Sequence, residues 1–283
     1  MKRGYADTPQ GQIHYYVEGE GEPLIMMHAT GSSRQFWKLQ PLLAQHFKVY
    51  AFDTLGCGGS DDLQDPETVS IHDLALSITQ AMDSLGIQKT HIFGLHTGNK
   101  LGAELGAAFP DRINKLILIG NSHSIMADQQ ELNDALGHVV ASSLIRYPED
   151  EAGTHLWKTW AHDFERIAQT WWDTTPIVEG KLTPQIMERR KVRVMDYLQL
   201  RENHQIYRAI FSFDFGKRMY DIKVPTLIIE TRVPSEAHLP GQVEILAGRV
   251  PGGKGATVIA RGGNAMESQA DEYAKLAVDF IKG

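Results

Sequence analysis

Residues 90–105, THIFGLHTGNKLGAEL, decide the fold of this chain. The run THIFGL is short and apolar, which is typical of a strand buried on both faces. The turn GLHTG follows at residues 94–98, and its glycines let the backbone reverse tightly. The stretch therefore predicts a strand, a sharp turn and a helix, with His96 at the tip of the turn.

Apolar runs and amphipathic segments alternate on both sides of this stretch. Further strands are predicted over residues 12–17, 24–28, 49–53, 115–119, 224–229 and 256–260. Helices are predicted over residues 34–46, 71–85 and 271–281. Alternation of this kind predicts an α/β fold in which helices flank a mostly parallel central sheet.

Residues 124–221 interrupt the alternation, because helical segments there follow one another without a strand. The predicted helices cover residues 127–147, 152–172 and 184–211. We therefore expect a core domain formed by residues 1–123 and 222–283, with residues 124–221 inserted as a helical cap. Four of the 5 tryptophans lie in this insertion: Trp157, Trp160, Trp171 and Trp172. They either pack the cap onto the core or, as with Trp157 and Trp160, line an apolar or aromatic substrate pocket.

Composition limits the partners and the location of the protein. The 283 residues carry a formal net charge of −7, which gives no basic surface for nucleic acid or an anionic membrane. The single cysteine, Cys57, cannot form an internal disulfide. The start MKRGYADTPQGQ lacks a signal peptide's apolar segment. No apolar run approaches the roughly 20 residues of a membrane span. We expect a cytoplasmic protein that acts on a small molecule without a cofactor; the oligomeric state is left open.

Three turns of the sequence resemble turns of the α/β-hydrolase family. Residues 94–98 resemble the nucleophile elbow G-x-S-x-G, residues 28–33, HATGSS, resemble the loop H-G-x-x-S-S, and residues 53–61, DTLGCGGSD, resemble the turn D-x-x-G-x-G-x-S-D. The resemblance covers nearly the whole chain outside the cap and implies an α/β-hydrolase fold. It also implies that the backbone N–H groups of Thr30 and Thr97 form an oxyanion hole. Ala29 departs from the family's usual glycine in that loop.

The chain departs from the family at all three positions of the catalytic triad. His96 stands at the position of the nucleophilic serine. Asn264 stands where the family has its histidine, after the last strand. The two positions that hold the acid in family members carry Pro234 or Ser235 and Asn121 or Ser122. The frame of a hydrolase is thus present without its usual reacting groups.

A single exchange at the elbow accounts for the other two losses. A serine hydroxyl needs a base to remove its proton, and that base needs a residue to orient it. An imidazole needs neither, because its unperturbed pKa is near 6.5 and the positive end of a helix dipole favours its neutral form. We therefore predict that His96 is a nucleophile or general base, with Asn264 beside it. The alternative is a site that has lost its function and drifted.

Other candidate residues lie at the ends of neighbouring strands, where ligands of open α/β sheets bind. His123 and Glu230 are predicted to contact the substrate. His28 is a further candidate, although the family uses this position to hold loop backbone.

Two further arrangements involve a metal site and displaced catalytic acids. A metal site of His28, His96 and Glu230 has suitable ligand types but no supporting spacing, so no metal is predicted. Glu236 and Glu267 are candidates for displaced acids, although each is also typical of a solvated loop carboxylate.

Three hypotheses for function follow. The first is a divergent hydrolase that cleaves an ester, lactone or carbon–carbon bond of a small apolar or aromatic substrate through His96. The second is a cofactor-independent lyase or isomerase in which His96 is the base and the oxyanion hole stabilises an enolate. The third is a binding protein without catalysis. A Thr30 N–H already bonded to protein would count against acyl transfer and favour the third.

Overall fold

A computed structural model describes residues 1–134, 147–158, 161, 184, 195–196, 203–261 and 265–283. Eight strands form one sheet: β1 Lys2–Thr8, β2 Gly11–Glu18, β3 Pro23–Met27, β4 Lys48–Phe52, β5 Thr90–Leu95, β6 Ile113–Asn121, β7 Thr226–Arg232 and β8 Lys254–Ile259. Their order is β1-β2-β4-β3-β5-β6-β7-β8. From β4 to β8 every pairing is parallel, whereas β1 and β2 extend the sheet as an antiparallel edge. The predicted mostly parallel sheet is confirmed.

Strand β1 was not predicted, because its sequence KRGYADT contains few apolar residues. Only Ala6 of this strand is buried. An edge strand with one solvated side does not show the continuous apolar run that marks the central strands.

The helices flank the sheet in the predicted alternation. The α-helices are α1 Leu39–Leu43, α2 Ile71–Ser84, α3 Thr97–Ala108, α4 Asn203–Ser212, α5 Phe215–Arg218, α6 Val243–Ala247, α7 Ala265–Ser268 and α8 Ala270–Lys282. Short 3-10 helices cover Ser33–Phe36, Pro110–Arg112, Ser122–Ile125, Met219–Asp221 and Pro234–Glu236.

The continuous helix predicted over residues 34–46 is wrong. A 3-10 turn, Ser33–Phe36, and the short α1, Leu39–Leu43, stand in its place. Pro41 explains the difference, because proline has no N–H to donate and is tolerated only in the first turn of a helix. The α-helix consequently begins two residues before it.

Both faces of the sheet are covered by helices, and the central strands alternate between two apolar layers. On one side Ile25, Met27 and Ile92 pack in the cluster that contains the buried faces of α2 and α3. On the other side Leu24, Met26 and Phe93 pack in the cluster that contains residues of α1 and α8. Burial of successive residues on opposite faces explains why these strands read as uninterrupted apolar runs.

Residues 124–221 lie between β6 and β7 in the chain, and none of those described belongs to the sheet. Helices α4 and α5 contribute Ile206, Ala209 and Phe215 to the layer that packs against α2 and α3. The division into core and cap stays a prediction, because most of residues 135–202 lie outside the described part. No helix in the described part is long and apolar enough to cross a membrane.

Two glycines allow the β5–α3 turn to pack backbone against backbone. A Cβ on Gly94 would lie 2.2 Å from the carbonyl oxygen of Gly98, and a Cβ on Gly98 would lie 2.1 Å from the carbonyl oxygen of Met27. The Gly98 N–H also donates to the His28 carbonyl, at 3.1 Å. Helix α3 therefore starts in direct contact with the end of β3, and His96, midway between the two glycines, is held at a fixed place.

Replacing Gly98 by alanine tests this contact. We expect Gly98→Ala to lower the free energy of unfolding by at least about 3 kcal/mol, because the clash is with rigid backbone. Gly86→Ala is the matched control: its φ is +69° but nothing lies within 4 Å of the added Cβ, so it should cost only about 1–2 kcal/mol. Urea denaturation measures both. Equal losses in the two variants would show that the packing at Gly98 is not tight.

Candidate active site

His96 occupies a strained position between β5, Thr90–Leu95, and α3, Thr97–Ala108. Its φ is 50° and its ψ is −104°, and no other non-glycine residue among those described has a positive φ. Main-chain hydrogen bonds hold it there: its N–H donates to Ile119 O at 2.9 Å, and its carbonyl accepts from Asn99 N at 3.0 Å. Such a conformation costs about 1–3 kcal/mol and persists only where the surrounding structure imposes it. The predicted placement at the tip of a sharp turn agrees with this geometry.

The His96 ring lies against a second imidazole. Its centroid is 5.6 Å from that of His123, and the two rings are inclined by 39°. His123 belongs to the 3-10 helix Ser122–Ile125 that follows β6, so the two rings come from the ends of adjacent parallel strands. The fold thus brings together two of the residues that the sequence proposed for the site.

A carboxylate fixes the second imidazole. Glu236 Oε1 lies 2.6 Å from His123 Nδ1, and Glu236 Oε2 accepts the His123 backbone N–H at 3.1 Å. Asn121 Nδ2 donates to Oε1 at 3.5 Å. Because a carboxylate accepts, Nδ1 of His123 carries the proton in the neutral ring and Nε2 keeps its lone pair. The structure therefore places Glu236 as a partner of His123.

Glu236 stays ionised in this setting. Its side chain is only 14% exposed, and desolvation opposes the charge. The hydrogen bonds from the His123 ring and backbone and from Asn121, together with the field of His123, outweigh desolvation and lower the pKa of Glu236 below its usual value. The pair is a charge-assisted contact at the edge of the site.

The loop after β3 meets the start of α3 through two threonines. The Thr30 N–H donates to Thr97 Oγ1 at 3.2 Å, and the two hydroxyl oxygens are 2.7 Å apart. Both residues are buried. The expected oxyanion hole of two free N–H groups is not the arrangement found, because the Thr97 hydroxyl occupies the Thr30 N–H. Thr97 N–H, the first of α3, donates to no acceptor within the described residues.

A sequence profile for the alpha/beta hydrolase fold matches residues 22–170 of the chain. The chain belongs to the α/β-hydrolase fold family. The matched segment is more than half of the 283 residues and contains the three turns on which the resemblance was based. The exchange of triad residues, by contrast, stays a prediction.

Relatives of this chain match almost its entire length. The 2-hydroxy-6-oxononadienedioate/2-hydroxy-6-oxononatrienedioate hydrolase 2 of Pseudomonas putida is 26% identical, over 96% of this chain and 92% of that protein. The 2-hydroxy-6-oxo-6-phenylhexa-2,4-dienoate hydrolase of Comamonas testosteroni is 24% identical, over 95% and 91%. The solved enol-lactonase of Burkholderia xenovorans superposes with a TM-score of 0.65 at 24% identity, over 99% of this chain and 100% of that one. These relatives are hydrolases, which supports enzymatic activity in this chain.

His28 holds loop backbone in place. Its Nε2 accepts the Thr54 N–H at 3.1 Å, and its Nδ1 contacts the Ala29 carbonyl. Burial lowers the pKa of His28, so the ring is neutral and both nitrogens are used. The residue ties the β3 loop to the loop after β4.

Glu230 is buried and fully engaged. Its Oε1 accepts from Ser122 Oγ at 2.7 Å and Arg232 Nη1 at 3.1 Å, and its Oε2 accepts from the N–H groups of Gln242 and Val243 at 2.9 and 3.1 Å. Desolvation alone would raise the pKa of Glu230, but these bonds lower it. The carboxylate joins β6, β7 and the start of α6.

The remaining candidates are more dispersed. Trp157 is 66% exposed, and Glu267 lies half-buried in α7. Trp160 and Asn264 lie outside the described residues. In the part of the chain that the structure covers, no three His, Cys, Asp or Glu side chains form a metal-binding group, so His28, His96 and Glu230 do not make one.

Sequence reasoning missed a buried lysine next to the site. Lys100 lies one turn after His96 on α3, is 2% exposed, donates to the Ser124 carbonyl and lies 4.9 Å from the centre of the Phe215 ring. Burial lowers the pKa of Lys100 to about 7. Lys100 is the one charged residue of the segment TGNKLGA, residues 97–103, and that was the available signal. It anchors the 3-10 helix that carries His123.

Backbone strain at His96 predicts an unusual order of stabilities. We expect the free energy of unfolding of His96→Gly to be about 1 kcal/mol higher than that of His96→Ala. Glycine adopts a positive φ without strain and alanine does not. Ala103→Gly on α3 supplies the control with opposite sign, since glycine within a helix costs about 1 kcal/mol relative to alanine. Chemical denaturation of the three variants gives the comparison. An alanine variant as stable as the glycine variant would contradict the strained geometry.

Lys100 predicts a pH-dependent stability. The pKa of Lys100 is about 7 in the folded protein and about 10.4 in the unfolded chain. Between these pH values the unfolded chain binds one more proton than the folded protein, so the free energy of unfolding of wild type increases as pH rises. Lys100→Met should not show this gain. Its free energy of unfolding should exceed that of wild type by at least about 1 kcal/mol at pH 7 and should be similar to that of wild type near pH 10. Leu105→Met, a buried apolar exchange on α3, controls for the introduced side chain. Urea titrations at several pH values decide; parallel pH curves for Lys100→Met and wild type would refute the assignment.

Proposed function

We propose that this chain is a hydrolase in which His96 acts as the general base that activates water toward a carbonyl carbon. The observation that carries the proposal is the strained His96 at the strand–helix turn, with its ring against His123 and with His123 held by Glu236. Strain of this kind is a recurrent property of functional sites. The relatives, which are hydrolases, support the reaction class.

The proposed reaction balances without a covalent enzyme intermediate. His96 takes a proton from water while the water oxygen bonds to the carbonyl carbon, and the carbonyl π electrons move onto its oxygen. The tetrahedral anion then collapses, and the bond to the leaving oxygen or carbon breaks with its electron pair. The His96 imidazolium returns its proton to that leaving atom. Water is thereby divided between the acyl product and the leaving group.

The second imidazole restricts and supports the first. Glu236 fixes His123 through one hydrogen bond with its ring and one from its backbone N–H, and the His123 ring in turn packs on His96. Fixed rings lower the entropic cost of reaching the reactive geometry. The free Nε2 lone pair of His123 also offers a second proton acceptor at the same end of the sheet. We assign His123 and Glu236 as positioning residues for His96.

The substrate class follows from the reacting groups and from the relatives. A base without a nucleophile suits carbonyl compounds with a good leaving group, such as esters, lactones and the keto-dienoates whose names the relatives carry. The net charge of −7 disfavours polyanions. We therefore propose small esters, enol-lactones or 2-hydroxy-6-oxo-dienoates as substrates.

One observation favours a second candidate, a binding protein without turnover. The Thr30 N–H donates to Thr97 Oγ1 and is not free to stabilise an oxyanion, and loss of one such donor typically costs about 10²–10³ in rate. Stabilisation of the protein by a substrate-like ligand, with no product formed, would support this candidate.

Substitution of His96 tests the proposal. With 2-hydroxy-6-oxo-6-phenylhexa-2,4-dienoate, an enol-lactone and p-nitrophenyl esters as a panel, we expect His96→Ala to lower kcat by about 10²–10⁴-fold. Asn264→Ala should leave a measurable rate. Activity should fall as pH is lowered from about 8 to about 5, because an imidazolium has no lone pair. Full turnover by His96→Ala would refute the role of the base.

Two further measurements sharpen the result. In H₂¹⁸O a hydrolase places one labelled oxygen in the acyl product, whereas a lyase or isomerase places none. His123→Ala and Glu236→Gln should reduce kcat more than KM, while His91→Ala should not. His91 is the matched control, because its Nε2 also lies near a glutamate, Glu22, at 3.2 Å and away from the site. Equal effects of the two histidine substitutions would show that His123 acts only on stability.

A further inference from the structure

The hydroxyls of Thr97, at the start of α3, and Thr30, in the loop after β3, leave one proton without an acceptor. Thr97 Oγ1 and Thr30 Oγ1 are 2.7 Å apart, and a single proton lies between two oxygens at that distance. Each hydroxyl brings one proton, and no other acceptor for either is present within the described residues. Thr97 is 6% exposed and Thr30 is 4% exposed, so bulk water is not the ready partner. A buried donor without a partner is costly, which indicates that a ligand atom accepts it.

The hydrogen bond from the Thr30 N–H to Thr97 Oγ1 makes the Thr97 hydroxyl the better donor to a ligand. The Thr30 N–H fills one lone pair of Thr97 Oγ1, and the Thr30 hydroxyl fills the second when it donates. A hydroxyl that accepts two hydrogen bonds is a stronger donor, because each accepted bond polarises its own O–H. The Thr97 N–H, next to that hydroxyl and following His96 directly, also has no acceptor in the described part of the chain. The two donors belong to one residue adjacent to the base.

We propose that the Thr97 hydroxyl, together with the Thr97 N–H, donates to the carbonyl oxygen of the substrate in place of the Thr30 N–H. Thr30 then acts through Thr97: its N–H and its hydroxyl orient and polarise the donor without touching the substrate. The Thr30 N–H is occupied by Thr97 Oγ1 and cannot reach the substrate. In this arrangement the Thr97 hydroxyl donates to the substrate oxygen instead. As negative charge develops on the oxygen, the contact becomes charge-assisted and strengthens. This inference rests on the proposed hydrolysis for its kinetic part only.

The proposal predicts how the enzyme discriminates among ligands. An oxygen that develops negative charge beside His96 should bind through Thr97, whereas an apolar ligand of the same shape should not depend on it. Phenylboronic acid is a suitable probe, because it adds hydroxide to form a tetrahedral anion and requires no turnover.

Four variants of the full chain test the inference by calorimetric binding of phenylboronic acid and by kcat on a panel substrate. We expect Thr97→Val to weaken binding and to lower kcat at least about 10-fold, and Thr97→Ser to resemble wild type. Thr30→Val should have a smaller effect of the same sign. Thr79→Val is the matched control, because Thr79 is a buried helix threonine whose hydroxyl donates to Leu76 O at 2.7 Å away from the site. Thermal unfolding of each variant verifies that it is folded.

The outcomes separate this inference from the proposed function. A Thr97→Val variant that binds the probe as well as wild type or better would overturn the inference and show that the hydroxyl blocks the hole. A wild-type protein that does not bind the probe would overturn it as well. Binding that depends on Thr97 in a protein that turns over none of the panel would uphold the inference and refute the proposed function.

Discussion

The contact between backbone atoms at Gly94, Gly98 and Met27 is the constraint on which the rest of the site depends. Because neither glycine has room for a Cβ, α3 begins against the end of β3, and His96, midway between the two glycines, is held at a positive φ. Main-chain bonds from Ile119 and Asn99 complete the restraint. The backbone conformation at position 96 is therefore set by main-chain contacts.

The site is assembled from segments far apart in the chain. His96 comes from the β5–α3 turn, His123 from the turn after β6, Glu236 from the 3-10 helix after β7, and Thr30 from the loop after β3. Parallel strands carry all four to the same end of the sheet. Buried polar groups then fix each loop: His28 ties one loop to another, and Glu230 joins β6, β7 and α6. Buried hydrogen bonds thus fix the loops that carry the candidate site.

Much of the fold could be predicted from sequence, because its signals are local. Continuous apolar runs indicated the parallel strands, and glycines at positions 94 and 98 indicated the tight turn. The edge strand β1 was not predicted, because only its residue Ala6 is buried and the strand therefore lacks an apolar run. Pro41 divided a predicted helix, although the apolar pattern continued across it.

The site was less predictable, because its decisive contacts join residues distant in sequence. The sequence offers Glu236 as a displaced acid or a solvated loop carboxylate without a partner for it, and the structure places it 2.6 Å from a histidine 113 positions away. The Thr97 hydroxyl was not considered at all, since the family pattern points to backbone donors. Side-chain rotamers at a turn do not follow from spacing. The main-chain contacts that set the strained φ of His96 have a wider consequence for the history of such proteins: a change of one codon can exchange the side chain at this turn while the turn itself is kept.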